Sequence, residues 1–265
     1  MPLRFSNRPG LVAYLTIGDP DLATSHNIAL AAIDAGADVL ELGVPFSDPT
    51  ADGPAIMRAS HRAIAAGGGL QSTLRASRAI RAAEPNVGIV LFGYYNPLFV
   101  RGEARVARDA SEAGVDALLV VDLPVEESGP LRETASACGV GLIPLLAPTS
   151  RAARVAAAAE AARLGPVPFV YYVSVTGVTG SSTSLDPAQA GARAAELREQ
   201  VRRPVVVGFG IDSAEKARDA ARHADGVVVG TALVRAVEDG RDAGDRRERV
   251  QRLVRELRAG VDAAS

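Results

Sequence analysis

Two carboxylates stand where a structural role alone explains them poorly. In VLELGVPFSDPTADGP, residues 39–54, an apolar run leads through Glu41 into a Pro/Asp/Gly-rich loop that carries Asp48 and Asp52. A carboxylate inside an apolar strand-like run is costly to bury unless it has partners or a task. An isolated aspartate in such a loop reads as a turn residue. Taken together, Glu41 and Asp52 form a candidate acid/base pair.

A second pattern is built from small residues. GFGID (208–212), VVGTALV (228–234) and TGVTGSST (176–183) each follow or close an apolar run. Glycine lets backbone N–H groups approach an anion closely at a helix start. Gly180, Gly210, Gly230 and Thr231 are therefore candidate phosphate-binding residues. Several familiar chemistries lack their residues. The only lysine, Lys216, lies in the helical stretch DSAEKARD, so no lysine at a strand end can form a Schiff base. His26, His61 and His223 also fall in helical stretches without a second ligand at metal spacing. No Gly-x-Ser-x-Gly elbow or catalytic Cys/His context occurs. The expectation is a phosphorylated substrate handled by carboxylates, with no metal and no cofactor, the substrate itself supplying the electron sink. Tyr14, Phe92, Tyr94, Leu119, Leu145 and Tyr171 lie in apolar runs of a chain with only 4% aromatic residues and are the candidate walls of an apolar pocket.

The elements that must position these residues follow a regular alternation. Eight short apolar runs, at 11–17, 38–44, 88–94, 117–123, 141–147, 169–175, 205–211 and 226–232, are separated by Ala/Arg/Glu-rich stretches of helical period. Helices are expected over 22–37, with Gly36 as a stop, and over 185–201, with Asp186 and Pro187 as a start. Strands apolar on both faces and separated by helices make a covered parallel sheet. Eight such units predict a (β/α)8 TIM barrel, one domain over 1–265. The alternative, an open doubly wound sheet, would carry a dinucleotide fingerprint after its first strand, where this chain reads TIGDPDLA. In a barrel the site forms at the C-terminal ends of the strands, which places Glu41 at one such end and Asp52 on the long insertion beyond it.

Composition narrows the partners. The chain has 265 residues, and 29 basic against 31 acidic residues leave a net charge of −2, so nothing marks it for nucleic acid or an anionic membrane surface. No apolar run approaches the ~18 residues of a membrane span. A single cysteine, Cys138, allows no intrachain disulfide. A cytoplasmic location is expected.

LELGVPFSDPTADGP resembles the signature of the tryptophan synthase α-subunit family almost letter for letter. LTIGDP (15–20), YYNPL (94–98), DLPVEES (122–128), APTS (147–150), SVTGVTG (174–180) and GFGI (208–211) resemble its other blocks in order. The resemblance spans residues 11 to about 235. It implies retro-aldol cleavage of indole-3-glycerol phosphate to indole and glyceraldehyde 3-phosphate in tryptophan biosynthesis, with the indole ring as electron sink. By the same resemblance Glu41 is the general acid/base and Asp52 holds the ring N–H. Tyr171 is a pocket tyrosine near Glu41, Gly180, Gly210, Gly230 and Thr231 cradle the phosphate, and Phe92, Leu119, Tyr94 and Leu145 enclose the indole. The implied partner is the pyridoxal-phosphate-containing β-subunit in an αββα heterotetramer. Two alternatives stay open at this point: a stand-alone lyase releasing free indole, and a non-catalytic regulatory barrel. The chain departs from the family's pattern in having ten residues before the first run, where a floor-closing helix would be shortened or absent. It also has Thr50 in place of a frequent leucine, and Val175–Thr176 in place of a basic-plus-small pair.

Overall fold

The computed structural model describes Phe5 and residues 8–173, 186–208 and 210–264. Its elements run β1 (Gly10–Thr16), α1 (Leu22–Asp34), β2 (Val39–Gly43), α2 (Pro54–Ala65), α3 (Leu70–Ala83), β3 (Gly88–Gly93), α4 (Tyr95–Arg101), α5 (Glu103–Glu112), β4 (Ala117–Val120), α6 (Gly129–Ala137), β5 (Gly141–Leu142), β6 (Leu145–Leu146), α7 (Ala152–Leu164), β7 (Val170–Val173), α8 (Pro187–Val201), β8 (Val205–Gly208), α9 (Ala214–Ala221), β9 (Gly226–Val229), α10 (Thr231–Glu238) and α11 (Ala243–Asp262).

All strand pairs are parallel, in the order β5-β4-β3-β2-β1-β9-β8-β7-β6. The two ends of that order, β5 and β6, are halves of one run, 141–146, parted at Ile143–Pro144. Proline has no N–H for the ladder, so the strand breaks there. The break does not open the sheet, because Ile143 N–H donates to Leu118 O on one side while Pro144 O accepts from Tyr171 N–H on the other (2.9 and 3.0 Å). The expected eight units thus close into a (β/α)8 barrel whose fifth strand is interrupted.

Alternation along each strand divides the core in two. Outward residues such as Leu11, Ala13, Leu40, Leu42 and Ile89 pack under the helices, while Val12, Val39, Val90, Ala117, Leu119, Val206 and Val228 fill the interior. Phe5 packs on Phe169 at the N-terminal end, with ring centroids 5.6 Å apart; the rest of the segment before residue 8, where a floor helix is expected to be shortened or absent, lies outside the described residues.

Local signals set the helix limits. The Asp21 carboxylate accepts from Thr24 N–H at 2.8 Å to start α1, and Gly36 turns the chain with φ 110° beyond its end. Asp186 caps α8 and Pro187 opens it, as the sequence predicts. Pro54 likewise opens α2, fixing where the acid-bearing loop ends.

Candidate active site

Glu41 lies in the middle of β2, in register with Tyr14 on β1 and Val90 on β3. Its side chain points into the barrel and is 1% exposed. Among the described residues, carboxylate atom Oε1 has no hydrogen-bond partner. Burial without compensation disfavours the charged form, and the pKa rises from the ordinary 4.5 to about 8. Glu41 is therefore a carboxylic acid at neutral pH, with a proton to give.

Asp52 sits on the loop between β2 and α2 and is also buried. Unlike Glu41 it has a hydrogen-bond donor: Tyr94 Oη–H donates to Asp52 Oδ2 at 3.0 Å, and Tyr94 Oη in turn accepts from Ala51 N–H at 3.0 Å. Burial raises the Asp52 pKa and the Tyr94 hydrogen bond pulls it back, leaving it at about 6. At neutral pH Asp52 is ionised beside a protonated Glu41. Phe46 stacks obliquely on Tyr94, with centroids 5.2 Å apart, and so ties the loop to β3.

Both acids open onto a cavity of about 640 Å³ at the C-terminal end of the barrel. Tyr14, Phe92 and Tyr171 line it, as do Gly210, Gly230 and Thr231. Tyr14 and Phe92 meet edge to face at 5.1 Å, making one apolar wall. Tyr171 is held between the acids' side and β8, and burial together with the nearby Glu41 raises its pKa. Room for the two tyrosine rings comes from glycine: a Cβ at Gly43 would overlap the Tyr14 hydroxyl, and one at Gly208 would overlap that of Tyr171. The far end is bounded by Gly210, whose φ of 69° glycine adopts without steric cost, and by Gly230 and Thr231 at the N-terminus of α10. A helix N-terminus presents free N–H groups and positive potential, the chemistry a phosphate needs.

Most of the residues expected from sequence therefore converge, though not all in the same way. Tyr94 reaches the cavity through Asp52 rather than by lining it. Leu119 is fully buried in the barrel interior, and Leu145 packs against the same interior cluster, so neither lines the cavity. Gly180 lies outside the described residues. Sequence reasoning passed over Ile56 on α2 and Ile211 after β8, which complete the apolar lining. Ile56 follows the acid loop in a helix start, a position that pattern alone assigns to ordinary helix packing.

A closed parallel barrel with two buried acids at its C-terminal mouth and a glycine-bordered helix start opposite defines a (β/α)8-barrel enzyme. The sequence model of the family described as "Tryptophan synthase alpha chain" matches residues 2–262. The chain is 48% identical over 259 residues to the tryptophan synthase alpha chain of Citrifermentans bemidjiense, covering 98% of this chain and 94% of that one. It is 44% identical over 260 residues to that of Xanthomonas axonopodis pv. citri, covering 98% and 96%. Among solved structures, the tryptophan synthase alpha chain of Legionella pneumophila superposes with a TM-score of 0.86 at 33% identity, over 96% of this chain and 92% of that chain. A tryptophan synthase of Mycobacterium tuberculosis gives 0.83 at 37% identity, over 96% and 93%. The chain belongs to the tryptophan synthase alpha chain family. It is accordingly a carbon–carbon lyase of the α reaction, which is the main reading of its sequence rather than a stand-alone lyase or a non-catalytic barrel.

Proposed function

We propose that Glu41 and Asp52 carry out the retro-aldol cleavage of indole-3-glycerol phosphate in this chain, acting as one barrel domain over 1–265. Protonated Glu41 gives its proton to indole C3, and the ring nitrogen takes up the positive character. Ionised Asp52 accepts the ring N–H and stabilises that charge. The glycerol hydroxyl next to C3 then loses its proton to the Glu41 carboxylate, the C–C bond breaks, and its electron pair returns to the ring. Indole and glyceraldehyde 3-phosphate leave, and Glu41 is protonated again. The carrying observation is the pair of unequal acids, about 8 for Glu41 and about 6 for Asp52, on one cavity.

Tyr14 and Phe92 form the indole wall and Tyr171 holds the space beside Glu41. Tyr94 sets Asp52, while Leu119 and Leu145 support the wall from below. Gly210, Gly230, Thr231 and, by resemblance, Gly180 receive the phosphate.

The partner is a β-subunit in an αββα assembly. Supporting this, Phe99 and Val100 on α4 are 64% and 77% exposed, an apolar pair joined to the acid loop through β3 and Tyr94. Indole released into water would be lost, and a partner over this face would both receive it and hold the loop closed. The cytoplasm is the proposed compartment. Cys138 is a free thiol, and among the described residues no helix is long and apolar enough to cross a membrane. Titrating a matched β-subunit into the chain, while following glyceraldehyde 3-phosphate release and particle mass, tests the assignment. Complex formation with at least a tenfold rise in rate is expected; full activity as a lone chain with no complex at micromolar concentration would refute the partnership.

A further inference from the structure

Resting on the site just proposed, the substrate is gripped at two ends by two different helices. Its indole end meets Asp52, two residues before α2 begins at Pro54. Its phosphate end meets the first residues of α10. These helices follow β2 and β9, which flank β1 on opposite sides. Where α2 meets α10 the packing is apolar, Ala55, Ile56 and Ala59 against Val234, with Tyr14 beneath. Apolar contacts are non-directional and by themselves do not fix one helix's position along the other.

Charges lock this seam. Arg58 donates to Glu238 through both Nε and Nη2, each at 2.7 Å, and Arg62 Nη1 donates to the same carboxylate at 2.8 Å. The other edge of the Arg62 guanidinium donates twice to Asp19, each bond 2.8 Å. Asp19 is buried in the loop after β1. Glu238 is held down to about 2 by its two arginines. The fork geometry of arginine fixes direction as well as distance. Glu238 on α10 is thus tied to two successive turns of α2 and, through Arg62, to the β1 loop.

We infer that Glu238, with Arg58 and Arg62, is a positioning element that sets the span between the phosphate cradle and the acid loop. The barrel does not need this cluster to close, because its ladder does that. Its place at the junction of the two gripping helices gives it a different consequence. Binding of either substrate half uses one helix and is indifferent to the span, whereas cleavage needs both halves in register with Glu41. Misplacement of about 1 Å can cost up to about 10²-fold in rate.

The test is Glu238→Ala, which cuts the link between the helices and leaves the Arg62–Asp19 pair intact. We expect kcat for indole-3-glycerol phosphate cleavage to fall at least tenfold, while calorimetric affinities for glycerol 3-phosphate and for indole stay within twofold of wild type. Glu238→Gln keeps the length and one acceptor, so it should recover most of the lost kcat. If the alanine variant does not fold, Arg58→Met, which removes one of the two arginine links to Glu238, is the readout, with the same fall in kcat and unchanged fragment affinities expected. Unchanged kcat, or kcat and both fragment affinities falling together with Tm, would overturn the inference and leave the cluster a stabilising one. Gly230→Val run alongside separates the premise from the proposal. If that variant keeps its affinity for glycerol 3-phosphate, the phosphate does not sit at α10, and the site reading fails, taking the inference with it.

Discussion

Replacing Glu41 with glutamine should slow the enzyme by orders of magnitude and, at alkaline pH, make it more stable. Glutamine is nearly isosteric with the neutral acid that the fold buries, so near pH 5 the two proteins should have similar stability. Above that the wild type loses ground. Its unfolded state ionises Glu41 at the ordinary 4.5, while the native state keeps the proton until about 8. Between those values the native state binds more protons than the unfolded one, so stability falls as pH rises, by up to about 1.4 kcal/mol per pH unit. The interval sets a ceiling of about 5 kcal/mol. Asp52 acts in the same direction over a lower window, from 3.8 to about 6, but both proteins carry it and it cancels in the comparison. Urea unfolding of wild type and Glu41→Gln at pH 5, 7 and 9 should give curves that separate with pH, the mutant ahead by at least about 2 kcal/mol at pH 9. Turnover should fall by about 10² to 10⁴, the range for loss of general acid/base work. In the wild type, kcat/KM should decline above about pH 8 as Glu41 ionises. Parallel stability curves, or near-normal cleavage by the mutant, would refute the reasoning.

Two further outcomes follow from the same site. Gly230→Val should fold, because a Cβ there meets Tyr14 only at ordinary contact distance, 3.6 Å, yet its side chain would occupy the cavity; glycerol 3-phosphate affinity measured by calorimetry should drop at least tenfold. Tyr94→Phe removes the hydrogen bond that lowers the Asp52 pKa, so the acid flank of the kcat/KM profile should move to higher pH by up to about one unit, the size of one such bond, and a stationary flank would separate Tyr94 from Asp52.

The sequence carried the barrel because parallel strands covered on both sides must read as short apolar runs, and helices between them must read with a different period. The interruption of the fifth strand falls at Pro144, inside a run, 141–147, that reads as one continuous strand. Glu41 and Asp52 were legible because a charge in an apolar run, followed by a second on a long loop, costs free energy that a core does not ordinarily spend. Depth was not legible. Leu119 and Leu145 point inward like Phe92, and a period of two tells inside from outside without telling the middle layer of a barrel from its mouth. The clamp at Glu238 was also hidden. It joins residues on helices from the second and last units, which become neighbours only when the barrel closes, and arginines on a helical face look the same whether solvated or shared.

One donor separates the two acids into different roles. Both are buried at the same mouth, and burial raises the pKa of each. Tyr94, itself oriented by the Ala51 N–H, supplies Asp52 with a hydrogen bond that favours its charged form. Glu41 Oε1 receives none, although the hydroxyls of Tyr14 and Tyr171 are close enough for Glu41 to raise both of their pKa values. Had either hydroxyl turned its proton onto Glu41, the carboxylate would be favoured and a smaller share of the enzyme would hold the proton needed at indole C3. Tyr14 instead pairs with Thr16 Oγ1 at 3.4 Å. The unpaired oxygen of Glu41 is therefore not a flaw in packing. It keeps an acid loaded at the site, and the stability it costs is the quantity that Glu41→Gln should return.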